Sequence, residues 1–260
     1  MKDFLGALAQ KTLVLGVDPR PELHTDLEAI YDFSVSLIQA LEPQLAAVKF
    51  QSAFFEAMGT DGISLLFRLL EKTQELLPVI IDAKRGDVPE TARAYARAYL
   101  EAFPGAALTV NPYLGQDSLV PFLEAAQKYQ GAVFVLLKTS NPGAGTLQDL
   151  PVQGQKLWQH LAQELAIWAE EYRDKEWSRL GVVFGATYPT ELKEAVGALP
   201  HSPLLVPGVG AQGGELVRGA GILVSASRSL YYPGGKPDLE MAIAAGQELA
   251  AKIALASPLR

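Results

Sequence analysis

The 260-residue sequence contains no cysteine. That excludes disulfides, thiolate nucleophiles and cysteine-ligated zinc or iron–sulfur centres. Histidine is nearly as scarce: His24, His160 and His201 are the only ones, and their spacing fits no metal-ligand pattern. No apolar stretch approaches the roughly 20 residues that a membrane-spanning helix requires. Positive charge is also in deficit, with 22 Lys and Arg against 29 Asp and Glu, a formal net charge of −7 and no basic run. Long-range electrostatics therefore repel nucleic acids and anionic membranes. A small phosphorylated ligand stays open, because a few local donors suffice to hold it. The opening Met1-Lys2-Asp3-Phe4-Leu5-Gly6 has an acid too early and an apolar run too short for a secretory signal. The expectation is a soluble, cytoplasmic protein.

What the chain does have is apolar material, 49% of its residues against 20% charged, enough for one sizeable core. Short apolar runs recur at 12–17, 45–50, 78–83, 107–111, 132–137, 180–185, 203–207 and 221–226. Each is nearly continuous, as expected of parallel strands buried on both faces. Between them lie stretches of helical periodicity at 23–42, 61–77, 89–103, 115–129, 151–177, 189–198 and 237–257. Strand–helix alternation repeated about eight times predicts an α/β protein, a closed (β/α)8 TIM barrel in a single domain. A doubly wound open sheet is the alternative, but it favours a glycine-rich turn after the first strand, where this chain has Gly16-Val17-Asp18-Pro19-Arg20. The segment 151–178 is long for a barrel helix and carries Trp158, Trp168 and Trp177; it reads as a helix with an insertion, its tryptophans packing.

In a barrel, functional groups belong at the C-terminal strand ends. Read in order, those ends offer Asp18, Lys49, Asp82 with Lys84 and Asp87, Asn111, Lys138 with Ser140, Gly208 and Arg228. Charges near a barrel mouth are costly to desolvate unless paired, so their convergence argues for a site. The sharpest element is Asp82-Ala83-Lys84-Arg85-Gly86-Asp87, directly after Val79-Ile80-Ile81. Residues 82 and 84 are two apart and project to the same side of a strand end. A lysine flanked by carboxylates stays protonated and can donate a proton, whereas a Schiff-base lysine must be neutral. The plainer reading is a strand-end salt bridge ahead of a helix. Lys49 and Asp18, taken singly, read as structural ion pairs rather than as catalysts. Pro207-Gly208-Val209-Gly210-Ala211-Gln212-Gly213-Gly214 and Ser225-Ala226-Ser227-Arg228-Ser229 fall in the last two loops, the usual phosphate cradle of such barrels.

Together these strings resemble the orotidine 5'-phosphate decarboxylase family. DAKRGDVPET at 82–91 is similar to the family's D-x-K-x-x-D-[IV]-x-x-T signature. GVDPR (16–20), AVKF (47–50), NPY (111–113), KTSNPG (138–143), PGVGAQGG (207–214) and SASRS (225–229) follow in the family's order, and the NPYLG and SRS versions resemble the longer bacterial subgroup. The resemblance implies a cofactor-free decarboxylation of orotidine 5'-phosphate to uridine 5'-phosphate, with no bound metal. It implies that Lys84 protonates C6 of the pyrimidine, flanked by Asp82 and Asp87, with Lys49 completing the array. Asp18 and Lys49 would contact the ribose, Ser140 the pyrimidine, and Pro207, Gln212 and Arg228 the phosphate end. Asp87 and Thr91 would act in the site of a second subunit, which implies a homodimer. One departure is Ser227, where many members have glycine before the arginine; it puts the local backbone–phosphate contact in question.

Three rivals share parts of this pattern. Metal-dependent sugar-phosphate enzymes with the same signature carry an acidic ligand where Lys49 stands, and an ammonium there would repel Mg2+. A Schiff-base aldolase is disfavoured by the carboxylates around Lys84. A catalytically silent nucleotide-binding barrel would leave its ligand unchanged.

Overall fold

The computed structural model describes residues 3–8, 11–209 and 214–259. Eight parallel strands close into a barrel: β1 (Leu13–Val17), β2 (Leu45–Gln51), β3 (Val79–Arg85), β4 (Ala107–Val110), β5 (Ala132–Lys138), β6 (Leu180–Phe184), β7 (Leu204–Pro207) and β8 (Ile222–Ala226). Pairing of Leu13 with Val224 and Leu15 with Ala226 joins the last strand to the first. The expected runs match these strands to within about two residues, because strands buried on both faces leave unbroken apolar strings.

The outer helices are α1 (Leu27–Leu41), α2 (Gly59–Gln74), α3 (Pro89–Ala96), α4 (Gln116–Lys128), α5 (Leu157–Glu171), α6 (Pro189–Ala198) and α7 (Leu239–Leu255). Local chemistry sets their starts. Asp26 caps α1 by accepting the Ala29 N–H at 2.8 Å, which is why the helix begins at Leu27 rather than at 23. Asp238 caps α7 in the same way through Met241. Pro89 and Pro189 occupy first-turn positions, where the missing N–H costs nothing. The expected helix over 151–177 is a correction: only Leu157–Glu171 is helical, bracketed by the hairpins 151–156 and 173–178. Gln153, Gly154 and Lys175 take positive φ there, which turns the chain instead of continuing the helix.

Two apolar layers result. One packs the helices against the outside of the barrel, with Trp158, Phe184, Phe122 and Ile30 among its buried members. The other lies inside the barrel, where Val14, Ile80, Phe134, Val183, Leu205 and Leu223 meet the N-terminal Phe4, Leu5 and Leu8. Phe4 stands edge-on to Phe134 at 5.9 Å and its N–H bonds to Gln130 O, so the amino-terminal segment plugs the lower end. The upper end, at the strand C-termini, is left open. No helix among the described residues is long and apolar enough to cross a membrane.

Candidate active site

The upper end is shaped first by β3. Ile81 pairs with Leu108 and Arg85 with Val110, so Asp82, Ala83 and Lys84 on β3 face the single residue Thr109 on β4. Such a bulge re-aims side chains. Lys84 takes φ 48°, an uncommon conformation for a residue with a side chain, and its N–H is held by Thr109 Oγ1 at 2.9 Å. The same hydroxyl donates to Asp82 Oδ1 at 2.9 Å, and Thr109 is fully buried. One hydroxyl thus fixes both the bent backbone and the carboxylate.

Asp82 is the hub. Lys84 Nζ lies 2.6 Å from its Oδ1, Lys49 Nζ lies 3.1 Å from its Oδ2, and Gln51 Nε2 donates to Oδ2 at 3.1 Å. Burial alone would raise the Asp82 carboxyl, but Lys49 and Lys84, helped by the Lys84 and Thr109 hydrogen bonds, hold it below the usual carboxylate range. For Lys49 burial works against the charge, and Asp82 and Asp18 outweigh it, raising the ammonium above the ordinary lysine range. Asp82 is therefore ionised and Lys49 protonated near neutral pH. Asp18 stands 3.9 Å from Lys49, and its buried Oδ1 has no hydrogen-bond donor among the described residues. Lys49 and Asp82 are enclosed, while the Lys84 side chain is 43% exposed and lines the open cavity.

That cavity is about 570 Å³. Its apolar floor is Val183 and Leu205, the upper side of the inner barrel layer. Ser140 and Asn141 from the β5 loop form one wall, and Pro207, Gly208, Ser227, Arg228 and Arg20 complete the lining. Gly208 has φ 94°, which a side chain would strain. Gly16 serves a close approach instead: a Cβ there would fall 1.9 Å from Ser227 Oγ and 2.8 Å from Ser227 Cβ. The serine that departs from the family pattern thus fits because residue 16 has no side chain. Tyr232 Oη accepts the Arg20 N–H at 3.1 Å and meets His24 Nε2 at 2.9 Å.

Asp18, Lys49, Asp82, Lys84, Ser140, Pro207 and Arg228 therefore line one cavity, as the sequence reading expects. Asp87 and Thr91 do not line it; the Asp87 carboxylate accepts the Val88 N–H at 2.8 Å. Gln212 lies outside the described residues. Sequence reasoning missed Thr109, Gln51 and Arg20. A polar threonine inside the apolar run Ala107-Leu108-Thr109-Val110 is the one signal that could have exposed the first.

Fold and site together define a (β/α)8-barrel enzyme whose working groups are a carboxylate shared between lysines over an apolar floor, a constellation for charge stabilisation and proton donation. The sequence profile of the orotidine 5'-phosphate decarboxylase / HUMPS family matches residues 11–222. An orotidine 5'-phosphate decarboxylase of Deinococcus radiodurans is 40% identical over 250 residues, covering 89% of this chain and 90% of the relative. One from Roseiflexus sp. (strain RS-1) is 42% identical over 238 residues, covering 85% and 83%. Among solved structures, Leishmania donovani OMP decarboxylase superposes with TM-score 0.81 at 33% identity, covering 97% of this chain and 96% of that one. Leishmania donovani UMP synthase gives 0.84 at 35% identity; this chain spans 55% of its length. The chain belongs to the orotidine 5'-phosphate decarboxylase / HUMPS family.

Proposed function

We propose that this chain is an orotidine 5'-phosphate decarboxylase, a carboxy-lyase of pyrimidine biosynthesis that converts orotidine 5'-phosphate to uridine 5'-phosphate and CO2. Family membership and relatives of that name at about 40% identity support the activity. The observation that carries the mechanism is Asp82, buried and ionised, 2.6 Å from a Lys84 ammonium that faces the cavity.

In this reading the pyrimidine lies on Val183 and Leu205, with its C6 carboxylate near Asp82. The C6–carboxylate bond breaks, CO2 departs, and the electron pair stays on C6. Lys84 Nζ stabilises that pair and then transfers a proton to it, leaving a neutral amine that recovers a proton from solvent. The ring offers no electron sink, so the protein must supply the acceleration, within the roughly 8–23 kcal/mol that enzymes commonly provide. Preorganised charge supplies most of it, since Asp82, Lys49 and Lys84 are already in place before the reaction. The proximity of Asp82 to the substrate carboxylate adds ground-state repulsion that CO2 loss relieves.

Asp18, with its undonated buried oxygen, and Lys49 hold the ribose hydroxyls; Ser140 meets the pyrimidine; Pro207, Gln212 and Arg228 form the phosphate end. Asp87 and Thr91, which do not line their own cavity, complete the site of a second copy in a homodimer. The NPYLG and SRS strings support membership of the longer bacterial subgroup, and the same reading takes the 260 residues as one (β/α)8 domain working in the cytoplasm. Lys49 favours this reading over a metal-dependent relative, because an ammonium 3.1 Å from Asp82 repels a divalent cation.

The test follows orotidine 5'-phosphate absorbance with wild-type protein dialysed against EDTA. Turnover without added metal is expected, and it falls steeply when the nucleotide is replaced by orotidine, because the phosphate contributes binding energy to the reacting centre. Turnover only after Mg2+ is restored, or equal kcat for nucleotide and nucleoside, contradicts the reading.

A further inference from the structure

Lys138 ends β5 and is the most buried charged residue among the described residues, with a fully enclosed side chain. It does not line the cavity. Its Nζ lies 2.5 Å from Asp149 Oδ1 and 2.7 Å from Glu191 Oε2, and it faces the rings of Tyr188 at 4.4 Å and Trp158 at 5.7 Å. Lys156 bridges the same two carboxylates from outside, so the charges alternate around a closed square. The carboxylates outlast ordinary acidification: hydrogen bonding to Lys138 lowers Asp149, and for Glu191 the lysine contacts overcome burial.

The members of this square come from either end of one loop and from the helices beneath it. Lys138 and Asp149 bracket residues 139–148, while Lys156 precedes α5 and Glu191 lies in α6. A second tie lies alongside: Gln148 Oε1 accepts the Thr139 N–H and Gln148 Nε2 donates to Thr139 Oγ1, both at 2.9 Å. Ser140, at the start of the loop, rests on Gly185, where an added Cβ would fall 2.9 Å from its N and 3.0 Å from its Cα. The Gly185 N–H bonds to Lys138 O at 2.8 Å. Thr139, Ser140 and Asn141 then form the cavity wall above the apolar floor.

An ion cluster built around a fully buried lysine gains little net stability over apolar residues of similar volume, so a device of this kind is better explained by the position it specifies. We propose that the Lys138–Asp149–Glu191–Lys156 square is a positioning device: it closes the base of the β5 loop and sets Ser140 at the height of the nucleotide base. Lys138 acts through the loop and touches no substrate. The inference rests on the decarboxylase reading for the identity of the base. The anchoring itself rests on geometry alone.

The experiment compares wild type, Lys138→Met and Asp149→Asn; the second is the milder change, because Lys138 keeps Glu191 at 2.7 Å and an amide oxygen replaces the carboxylate. Amide exchange over 139–148 is measured without ligand, and dissociation constants are measured for uridine 5'-phosphate and ribose 5-phosphate. Faster exchange confined to the loop is expected, with uridine 5'-phosphate binding weakened roughly tenfold, the order of one well-aligned hydrogen bond. Ribose 5-phosphate affinity stays within about twofold, since no base is present to report the loop. Exchange no faster than wild type overturns the anchor. An equal loss for both ligands, or for neither, overturns its role in base recognition. Failure of wild type to bind uridine 5'-phosphate sinks the decarboxylase reading instead, and the exchange data still decide the anchor.

Discussion

At the lower end of the barrel Arg179 is 5% exposed and held by Asp3 at 3.0 Å, Asp174 at 2.8 Å and the Gly131 carbonyl at 2.9 Å. At the upper end Asp82 is 8% exposed and held by Lys84, Lys49, Thr109 and Gln51. Both are buried charges with several partners, yet they differ in where those partners lead. The Arg179 partners close on themselves and tie the amino-terminal plug to the strand starts. One Asp82 partner, Lys84, is aimed into an open cavity on a backbone that had to bend to present it. A barrel can thus keep its fold at one end and its chemistry at the other, because the inner layer from Val14 to Leu223 separates them with dry side chains. What distinguishes a working charge from a structural one here is an unspent face toward solvent, not burial.

Substitutions at the two ends test that distinction. The largest effect belongs to Asp82→Ala, which strips Lys49 of its 3.1 Å partner inside the barrel. A stability loss of about 3–5 kcal/mol is expected, together with loss of turnover, read by denaturant unfolding and by assay of the folded fraction. Next comes Thr109→Val, which keeps the volume but frees both the Lys84 N–H and the Asp82 carboxylate. Misplacing these groups should lower kcat by roughly 100-fold, with Thr109→Ser restoring most of it. Because the Thr109 hydrogen bond helps keep Asp82 low, the acid limb of the kcat profile should also move upward. Arg179→Met is expected to cost about 2 kcal/mol, less than Asp82→Ala, because Asp3 and Asp174 are 40% and 44% exposed and rehydrate. Its kcat should match wild type, and a large fall would erase the separation between the two ends. The smallest effect is Gly16→Ala, which must displace Ser227 and with it Arg228. A rise in KM of a few fold, with about 1 kcal/mol of destabilisation, would sharpen the claim that this glycine serves the cavity lining.

Acid should report on the upper end as well. The Asp82 carboxyl lies lower in the folded protein than in the unfolded chain, so its ionised form favours folding. That contribution is complete above about pH 4, the ordinary carboxylate range, and is lost as pH falls through the folded value below it. The melting temperature of Asp82→Asn should therefore fall less steeply with acid than that of wild type.

The sequence made the frame legible because every strand is buried on both faces, leaving apolar strings whose C-terminal residues are the site. Asp82, Lys84, Lys49 and Asp18 could be read from those ends, and the cavity assembles them. What stayed hidden depended on pairing between strands. Nothing in Ala107-Leu108-Thr109-Val110 announces that Thr109 faces three residues of β3 across a bulge. Arg85, read only as part of a motif, turns outward to Glu56 and Tyr99 and fixes the end of the bulged strand. The hairpins around α5 escaped notice because tryptophans mask the turns Gln153-Gly154 and Lys175-Glu176 within an otherwise helical composition.

The most direct test of the account is Lys84→Ala, assayed for orotidine 5'-phosphate turnover beside its affinity for uridine 5'-phosphate. Lys84 is the outward face of the array and supports no buried group but Asp82, which keeps Lys49, Thr109 and Gln51. The prediction is a folded protein that binds uridine 5'-phosphate and has lost nearly all turnover. Retention of turnover by that folded variant would contradict the assignment of the proton donor, and with it the claim that the open face of the array is where the chemistry occurs.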